Sequence, residues 1–405
     1  MPNRDTADLV IVGAGTIGGW ASVFAREHGA ERVVVLERGE AGQGASSRAA
    51  GIVRAQGGTR ETVQLGMWSI AFYRSQHERY GTDSGFRELG YLILATDEHQ
   101  EADAIARVEM QRAAGLTDVR WVDAAEAARL NPTLDPTTFR GGTFAPGDGC
   151  VDPPRNVRAY SLAMQRAGVQ LRERTPFLGI ERSSTGDVLG VRTPDGTIAT
   201  GRVLLTGGPT LRQVGALVDS RFFVGAVRHQ VAVTEPHEAF DVERQPMVFE
   251  NAIGLYWRLE EGGLLFGMSN PGEAPGLARE VDWPYLHEME ERVHRYVPVA
   301  KDLGIRKAWA ATIEYCPDHL PVVGPVRDRT GDVIDGMTVA TAVGHGMMWG
   351  PGVARIGTDL ALTGATDVTD ASGWTMDRFD EEGRSPSYDP IALPFPVSAE
   401  EDPIR

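Results

Sequence analysis

The sequence has only two cysteines, Cys150 and Cys316, too few for a disulfide framework or a cysteine-ligated metal cluster. It has no excess of positive charge either: 40 Lys and Arg stand against 56 Asp and Glu, a formal charge of −16. So acidic a surface repels phosphate backbones and anionic lipid, which argues against nucleic-acid and polybasic membrane partners. Lysine is almost missing, with Lys301 and Lys307 alone. Long hydrophobic runs are missing too. The most apolar stretch, residues 9–25, is uncharged but holds four glycines and no cleavage-site pattern. It is shorter than the ~20 residues a spanning helix needs. What remains is a cytoplasmic, multi-layer globular chain, whose 405 residues make two or three domains at roughly 100–200 residues each. No internal repeat is present.

Leu9-Val10-Ile11-Val12 is a short apolar run of the kind that forms a buried parallel strand. Beyond a glycine turn, Trp20, Val23, Phe24 and Ala25 recur at helical spacing up to Gly29. Val33-Val34-Val35-Leu36 is the next strand and ends at Glu37-Arg38, which completes one βαβ unit. Residues 97–131 read as helical, with Ala102, Ile105, Val108 and Met110 as the apolar stripe and Asn131-Pro132 as the stop. A helix is expected over 155–167 and a strand over 168–171. Residues 188–205 read as a hairpin through Pro194-Asp195-Gly196, followed by the strand Val203-Leu204-Leu205. Residues 222–268 suggest an antiparallel sheet and 283–296 a helix. Thr338-Val339-Ala340 is a last strand, feeding a glycine-rich turn and a helix through Ala361. The tail from Thr366, with five prolines, is expected either to lie over a surface or to stay loose.

Gly13-Ala14-Gly15-Thr16-Ile17-Gly18 is a GxGxxG sequence. Alone it is weak, but here it follows a strand and opens a helix. Glu37 stands nineteen residues past the last glycine. Glycines let backbone approach a pyrophosphate, the helix N-terminus stabilises its charge, and a carboxylate accepts ribose hydroxyls. That is a dinucleotide site. FAD or NAD is the next question. Residues 42–58 are a Gly/Ser/Ala-rich arm where a plain NAD domain would run straight into further βα units; the arm suits an extended cofactor, or is simply a surface loop. Gly344-His345-Gly346-Met347-Met348 precedes a helix with Pro351 in its first turn. The free N–H groups of that helix's start, expected at Met347–Gly352, suit an anionic ring oxygen, which a reduced flavin has and nicotinamide does not.

These residues match a family. From residue 8 to about 365 the chain resembles the FAD-dependent amine and amino-acid oxidoreductases of the D-amino-acid oxidase superfamily, most nearly the dimethylglycine dehydrogenase and sarcosine oxidase branch. His229-Gln230 with Thr234-Glu235-Pro236 is similar to that branch's HQ…TEP strand. Tyr256-Trp257-Arg258 with Gly262-Gly263-Leu264-Leu265-Phe266-Gly267 is similar to its Y-x-R…GGLLxG segment. Trp309-Ala310, Glu314, Pro317-Asp318-His319, Pro321 and Gly324 match WAGLYEMTPDHNPIIG in part. Gly344-His345-Gly346 with Pro351 and Arg355 resembles GHGFMHAPAVGR.

The departures are equally informative. Arg48 stands where dimethylglycine dehydrogenases have a flavin-linking histidine, and Ala311 where monomeric sarcosine oxidases have a flavin-linking cysteine. FAD is therefore expected to bind without a covalent bond. Arg54, in Ile52-Val53-Arg54, corresponds to an arginine that holds substrate carboxylate, with an arginine on a solvated arm as the alternative. Its lysine partner in that clamp is Met348 here, and the arginine of glycine oxidases is Ile313. Leu265 replaces the lysine that speeds oxygen reduction, which favours a dehydrogenase.

The resemblance implies an α/β, Rossmann-like FAD domain and a mixed-sheet substrate domain, both discontinuous. FAD-binding parts are expected at 1–85, 146–221 and 326–365, substrate parts at 86–145 and 222–325, and a C-terminal extension at 366–405. Cofactor contacts are expected from Gly13, Gly15, Thr16, Ile17, Gly18, Glu37, Arg38, Ser46, Ser47, Arg48, Ala50, Gly51 and Gly207. Gly344, Gly346, Met347 and Met348 complete that set. His345, Arg54 and Tyr256 are the catalytic candidates, and Arg54, Tyr256, Trp257 and Trp349, with Trp309, the candidate substrate walls. His345 has a purely structural, capping alternative, and the aromatics a core one. No metal is expected. The implied reaction oxidises a C–N bond of a small amine or amino acid by hydride transfer to flavin N5, and the imine product is hydrolysed. Electrons then pass to oxygen or to a protein or quinone acceptor, and a homo- or hetero-oligomer stays open. Two rivals stand: oxidation of a 2-hydroxy acid or other alcohol, which needs a base such as His345 or His229, and a non-catalytic flavin-bearing subunit.

Overall fold

In the computed structural model, which describes residues 5–391, Leu9–Val12 lies inside a six-stranded sheet, all four residues buried. The order across that sheet is Val322–Arg327, Val333–Thr341, Val203–Leu205, Leu9–Val12, Val33–Leu36 and Gln170–Arg172. All pairs are parallel except the first. Unbroken Val/Ile/Leu runs suit strands covered on both faces. Helix Thr16–Glu27 packs against Pro153–Arg166 and Gly350–Leu362. At its centre Trp20 is fully buried, donating its indole N–H to Asn156 Oδ1 at 3.1 Å and meeting Phe72 edge-on at 4.9 Å. The chain has returned to this sheet by Val322, a few residues before the position expected from sequence.

A second, eight-stranded sheet runs Ile305–Tyr315, Gly225–Thr234, Gly263–Ser269, Leu255–Glu260, Met247–Glu250, Tyr91–Ala95, Gly141–Ala145 and Arg120–Asp123. It is antiparallel except where Met247–Glu250 meets Tyr91–Ala95, which makes it mixed. Its two faces follow the period of two. Trp257, Phe266 and Leu264 pack with Met289 and Tyr285 of helix Trp283–Tyr296, while Tyr256, Leu265, Phe249 and Tyr91 gather on the other face. Two three-stranded sheets complete the strands. One holds the Val188–Thr193 and Gly196–Ala199 hairpin, and the other ties Ile52–Val53 to Gly149–Cys150.

Three expectations need correction. Residues 97–131 are not one helical stretch: helix Glu98–Ala113 ends before Gly115 (φ +113°), strand Arg120–Asp123 joins the sheet edge, and Ala124–Leu130 is a second helix. The buried stripe is Ala104, Val108 and Gln111, whereas Ala102 is exposed and Ile105 is 42% exposed. The sheet edge, not the helical period alone, decides which face turns inward. The last helix begins at Gly350, so Met347, Met348 and Trp349 form the turn that leads into it.

The described part of the tail is packed rather than loose. Trp374, Phe379 and Ile391 are buried. Arg378 forms an ion pair with Asp318 at 2.6 Å, with both side chains almost wholly buried.

Candidate active site

Gly13 has φ +107°, and an added Cβ there would lie 2.7 Å from the Thr206 carbonyl oxygen. Only glycine allows that approach. At Gly18 an added Cβ would lie 1.9 Å from Gly13 O, so this glycine serves the packing of helix on strand. Gly15 caps the helix with no side-chain hydrogen bond. Ser46 crosses over from the small-residue arm and accepts the Thr16 N–H at 2.9 Å. Glu37 ties the turn to the second strand: its carboxylate accepts from Ala14 N–H at 3.0 Å and from Gly39 N–H at 2.8 Å.

From this turn one cavity of about 720 Å³ runs to the small sheet and the large one. Gly13, Gly15, Thr16, Ile17, Glu37, Arg38, Ser46, Arg48, Ala50, Gly51 and Gly207 border it. Gly344, His345, Gly346, Met347 and Met348 border its middle. The backbone N–H groups of Gly346, Met347 and Met348 have no protein acceptor among the described residues. Val343 has φ +44°, a strained value for a β-branched residue, and Gly344 follows at +83°. A Cβ at Gly346 would meet nothing within 4 Å. Open glycines, free N–H groups and a carboxylate at the far turn fit an extended, anionic dinucleotide. The residues present suit FAD.

At the other end stand Arg54, Tyr91, His229, Phe249, Tyr256 and Ile391. Arg54 is not on a solvated arm; it is 3% exposed. Its Nη1 donates to Gln56 O and its Nη2 to Ile391 O at 3.1 Å. His229 is held on both ring nitrogens, by Ser269 Oγ at 2.8 Å and Tyr256 Oη at 2.5 Å. Burial lowers His229 to about 4 and raises the Tyr256 phenol. His345 Nδ1 donates to Val343 O at 3.1 Å and its ring lies 4.3 Å from that of Trp349. Burial, helped by the nearby Arg54 and His319, lowers His345 to about 3. With Nδ1 protonated and the ring neutral, Nε2 is an acceptor. Asp148 accepts from Ala55 N–H and Gln56 Nε2, yet burial outweighs these bonds and Arg54 and raises it to about 7.

A family model described as DAO, FAD dependent oxidoreductase, matches residues 8–360. The chain belongs to this family. Membership implies FAD as the cofactor. Glycine oxidase of Geobacillus kaustophilus (strain HTA426) is 31% identical over 334 residues, which cover 80% of this chain and 85% of that protein. Human mitochondrial dimethylglycine dehydrogenase is 26% identical over 412 residues, 95% of this chain but 46% of that protein. The chain thus spans about half the length of the dimethylglycine dehydrogenases it matches. The crystal structure of L-proline dehydrogenase from P. horikoshii has a TM-score of 0.85 over 93% of this chain and 98% of that one. At 23% identity that is a likeness of fold.

Five of the contacts expected from sequence do not reach the cavity. Gly18 is consumed by helix packing, and Ser47 turns back, donating its N–H to Gly42 O at 3.1 Å. Trp257 neighbours Tyr256 on one strand and so points to the opposite face, stacked on Tyr296 at 5.4 Å. Trp349 lies behind His345 and is fully buried. Trp309 also stays off the wall; its indole donates to Arg48 O at 2.8 Å and holds the arm. Sequence reasoning missed Glu314, which borders the cavity, accepts from Thr341 Oγ1 at 3.0 Å and is raised by burial. It lies inside a matched motif, so a signal was available. Arg279 and Ile391 also border the cavity and carry no local signal. No described helix is long and apolar enough to cross a membrane.

Proposed function

We propose that this chain oxidises a C–N bond of a small secondary or tertiary amine or amino acid. One observation carries that choice over the alcohol reading. An alcohol needs a base, and neither buried histidine at the reacting end is fit for the task. His229 has both nitrogens occupied, and His345 is held neutral far below its ordinary value. An amine that arrives neutral needs none. FAD, when bound, supplies the two-electron oxidation by accepting hydride from the carbon next to nitrogen.

The protein's part is to bind, orient and exclude water. Two of the five N–H donors of Arg54 meet backbone carbonyls, which leaves three for a substrate carboxylate. Tyr91, Phe249 and Tyr256 offer aromatic walls to the amine, and His345 Nε2 offers an acceptor on the same wall. Gly346, Met347 and Met348 N–H groups would hold the polar edge of the cofactor ring, and Glu37 with Arg38 its nucleoside end. Neither Arg48 nor Ala311 offers a nucleophile for a covalent link, and the Cys316 thiol is buried between Asp318 and Leu320 O, so the cofactor is held without a bond. The division into a discontinuous FAD domain and a substrate domain, a cytoplasmic location, and an acceptor other than oxygen belong to the same proposal.

The test is anaerobic bleaching of the flavin by a panel of N-methylated and cyclic amino acids, simple amines and 2-hydroxy acids. Bleaching by amines alone is the expected result. Bleaching by hydroxy acids alone overturns the proposal, and a fully loaded flavin that no compound bleaches supports a non-catalytic subunit.

A further inference from the structure

The chain beyond the last helix supplies a wall that no part of the proposed chemistry uses. Arg378 pins this tail to Asp318. The segment then descends toward the reacting end through a series of hydrogen bonds. Asp389 N–H donates to Asp318 O at 3.0 Å, Asn251 Nδ2 to Pro390 O at 3.2 Å, and Ile391 N–H to Asp389 Oδ1 at 2.8 Å. The Ile391 carbonyl accepts from Arg54. An added Cβ at Gly58 would lie 2.0 Å from Asp389 Oδ1, so the strand-to-helix turn below is shaped to the segment. Ile391 itself is fully buried, borders the cavity, and shares an apolar cluster with Tyr91, Phe249 and Tyr256.

A branched apolar side chain seated among the aromatic walls limits the space there. Its carbonyl shares a guanidinium with whatever anion Arg54 binds. We propose that residues 388–391 form a strap closing the substrate end, and that Ile391 sets the bulk of the group accepted beside Arg54. The inference rests on the reading of this end as the substrate end, and it makes Ile391 a specificity-determining residue.

The experiment uses the full FAD-loaded chain and three carboxylates of increasing size, acetate, benzoate and 2-naphthoate, titrated by perturbation of the flavin absorbance. Ile391→Ala should improve 2-naphthoate relative to acetate on the order of ten-fold, since a pocket wall discriminates at about that level per methylene or more. Ile391→Phe should move the ratio the opposite way, and Ile391→Val, one methylene smaller, should fall between wild type and Ile391→Ala. If Ile391→Ala fails to fold, the Phe and Val pair still gives the sign. Identical ratios in all proteins, or a uniform loss for every ligand, overturn the strap. So does a wild-type flavin that none of the three perturbs. A wild type that binds carboxylates yet is bleached by no amine defeats the amine proposal, and the ratios still decide the strap.

Discussion

Glu37→Ala removes the one carboxylate at the glycine turn. In the protein it accepts two backbone N–H groups, of Ala14 and Gly39, and its remaining lone pairs face the cavity it borders. Hydrogen bonds to a charged acceptor contribute about 1.5–3 kcal/mol each when shielded. Glu37 is only half-buried, so water replaces part of what is lost at the two N–H groups. The cost to the cofactor-free fold should therefore be about 1 kcal/mol. Loss of ribose contacts should weaken FAD by about 1–3 kcal/mol, a roughly 5- to 150-fold rise in Kd. Glu37→Gln is no conservative rescue. Its amide turns an NH2 toward one of two N–H donors, so it should fall nearer Ala than Glu. The assay is quenching of flavin fluorescence on adding FAD to deflavinated protein, repeated with FMN, which lacks the adenosine that Glu37 would serve. FMN binding should be unchanged by the substitution. A Kd for FAD within about two-fold of wild type, or equal losses for FAD and FMN, would refute the assignment.

Three further outcomes are expected. Acid or heat precipitation should release all the yellow colour, because Arg48 and Ala311 occupy the two linking positions; flavin retained on the denatured chain refutes this. Arg378→Met leaves Asp318, 2% exposed, without its cation and should cost about 3–5 kcal/mol. In the native pair burial alone would raise the Asp318 carboxyl, but Arg378, with hydrogen bonds from Ser385 and Cys316, outweighs it and the net shift is downward. The pair's contribution is thus full above the unfolded carboxyl value near 3.9 and fades as pH falls through the lowered folded value. In the variant burial is opposed by the hydrogen bonds from Ser385, Cys316 and Leu320 but no longer by a cation, so the gap in melting temperature should narrow from pH 7 to about pH 5. Reduced enzyme should reoxidise slowly in air by stopped flow, because Leu265 is an apolar core residue, 1% exposed, where the resemblance implies a lysine. With His345 lowered to about 3, acidification to about pH 5.5 should not accelerate it; fast, peroxide-yielding reoxidation overturns the expectation.

The dinucleotide end was legible because its signals are local. Strand, glycine turn, helix, second strand and Glu37 fall within forty residues, and each position has one physical reason for its identity. The GHG turn was legible as a motif, but not where its helix starts, since Met347, Met348 and Trp349 have ordinary side chains and the free N–H groups belong to backbone. The aromatic cage failed on a rule the sequence contains. Tyr256 and Trp257 are neighbours on a strand and cannot share a face. Arg54 was legible as a residue and not as an environment. It is buried and hydrogen-bonded to the Ile391 carbonyl, 337 positions away, and no local pattern reports a contact of that span. Arg279 was hidden for the same reason.

The two ends of the cavity handle charge in opposite ways. Arg38, Arg48 and Arg279 border it, and none of them forms an ion pair with a carboxylate among the described residues. Burial lowers Arg279, and Arg48 and Arg38 lower it further, so the three sense one another. Like charges left together in a chain of formal charge −16 are stabilised once an anion lies between them, and the diphosphate of the family's cofactor has that charge. Around the reacting end Arg54 lies near two carboxyls that burial raises, Asp148 and Asp389, and burial lowers the imidazoles of His229 and His345. Desolvation there pushes every weak acid and base toward its neutral form. A small amine entering that space is subject to the same pressure, so the site itself favours the unprotonated amine, whose nitrogen lone pair drives loss of hydride.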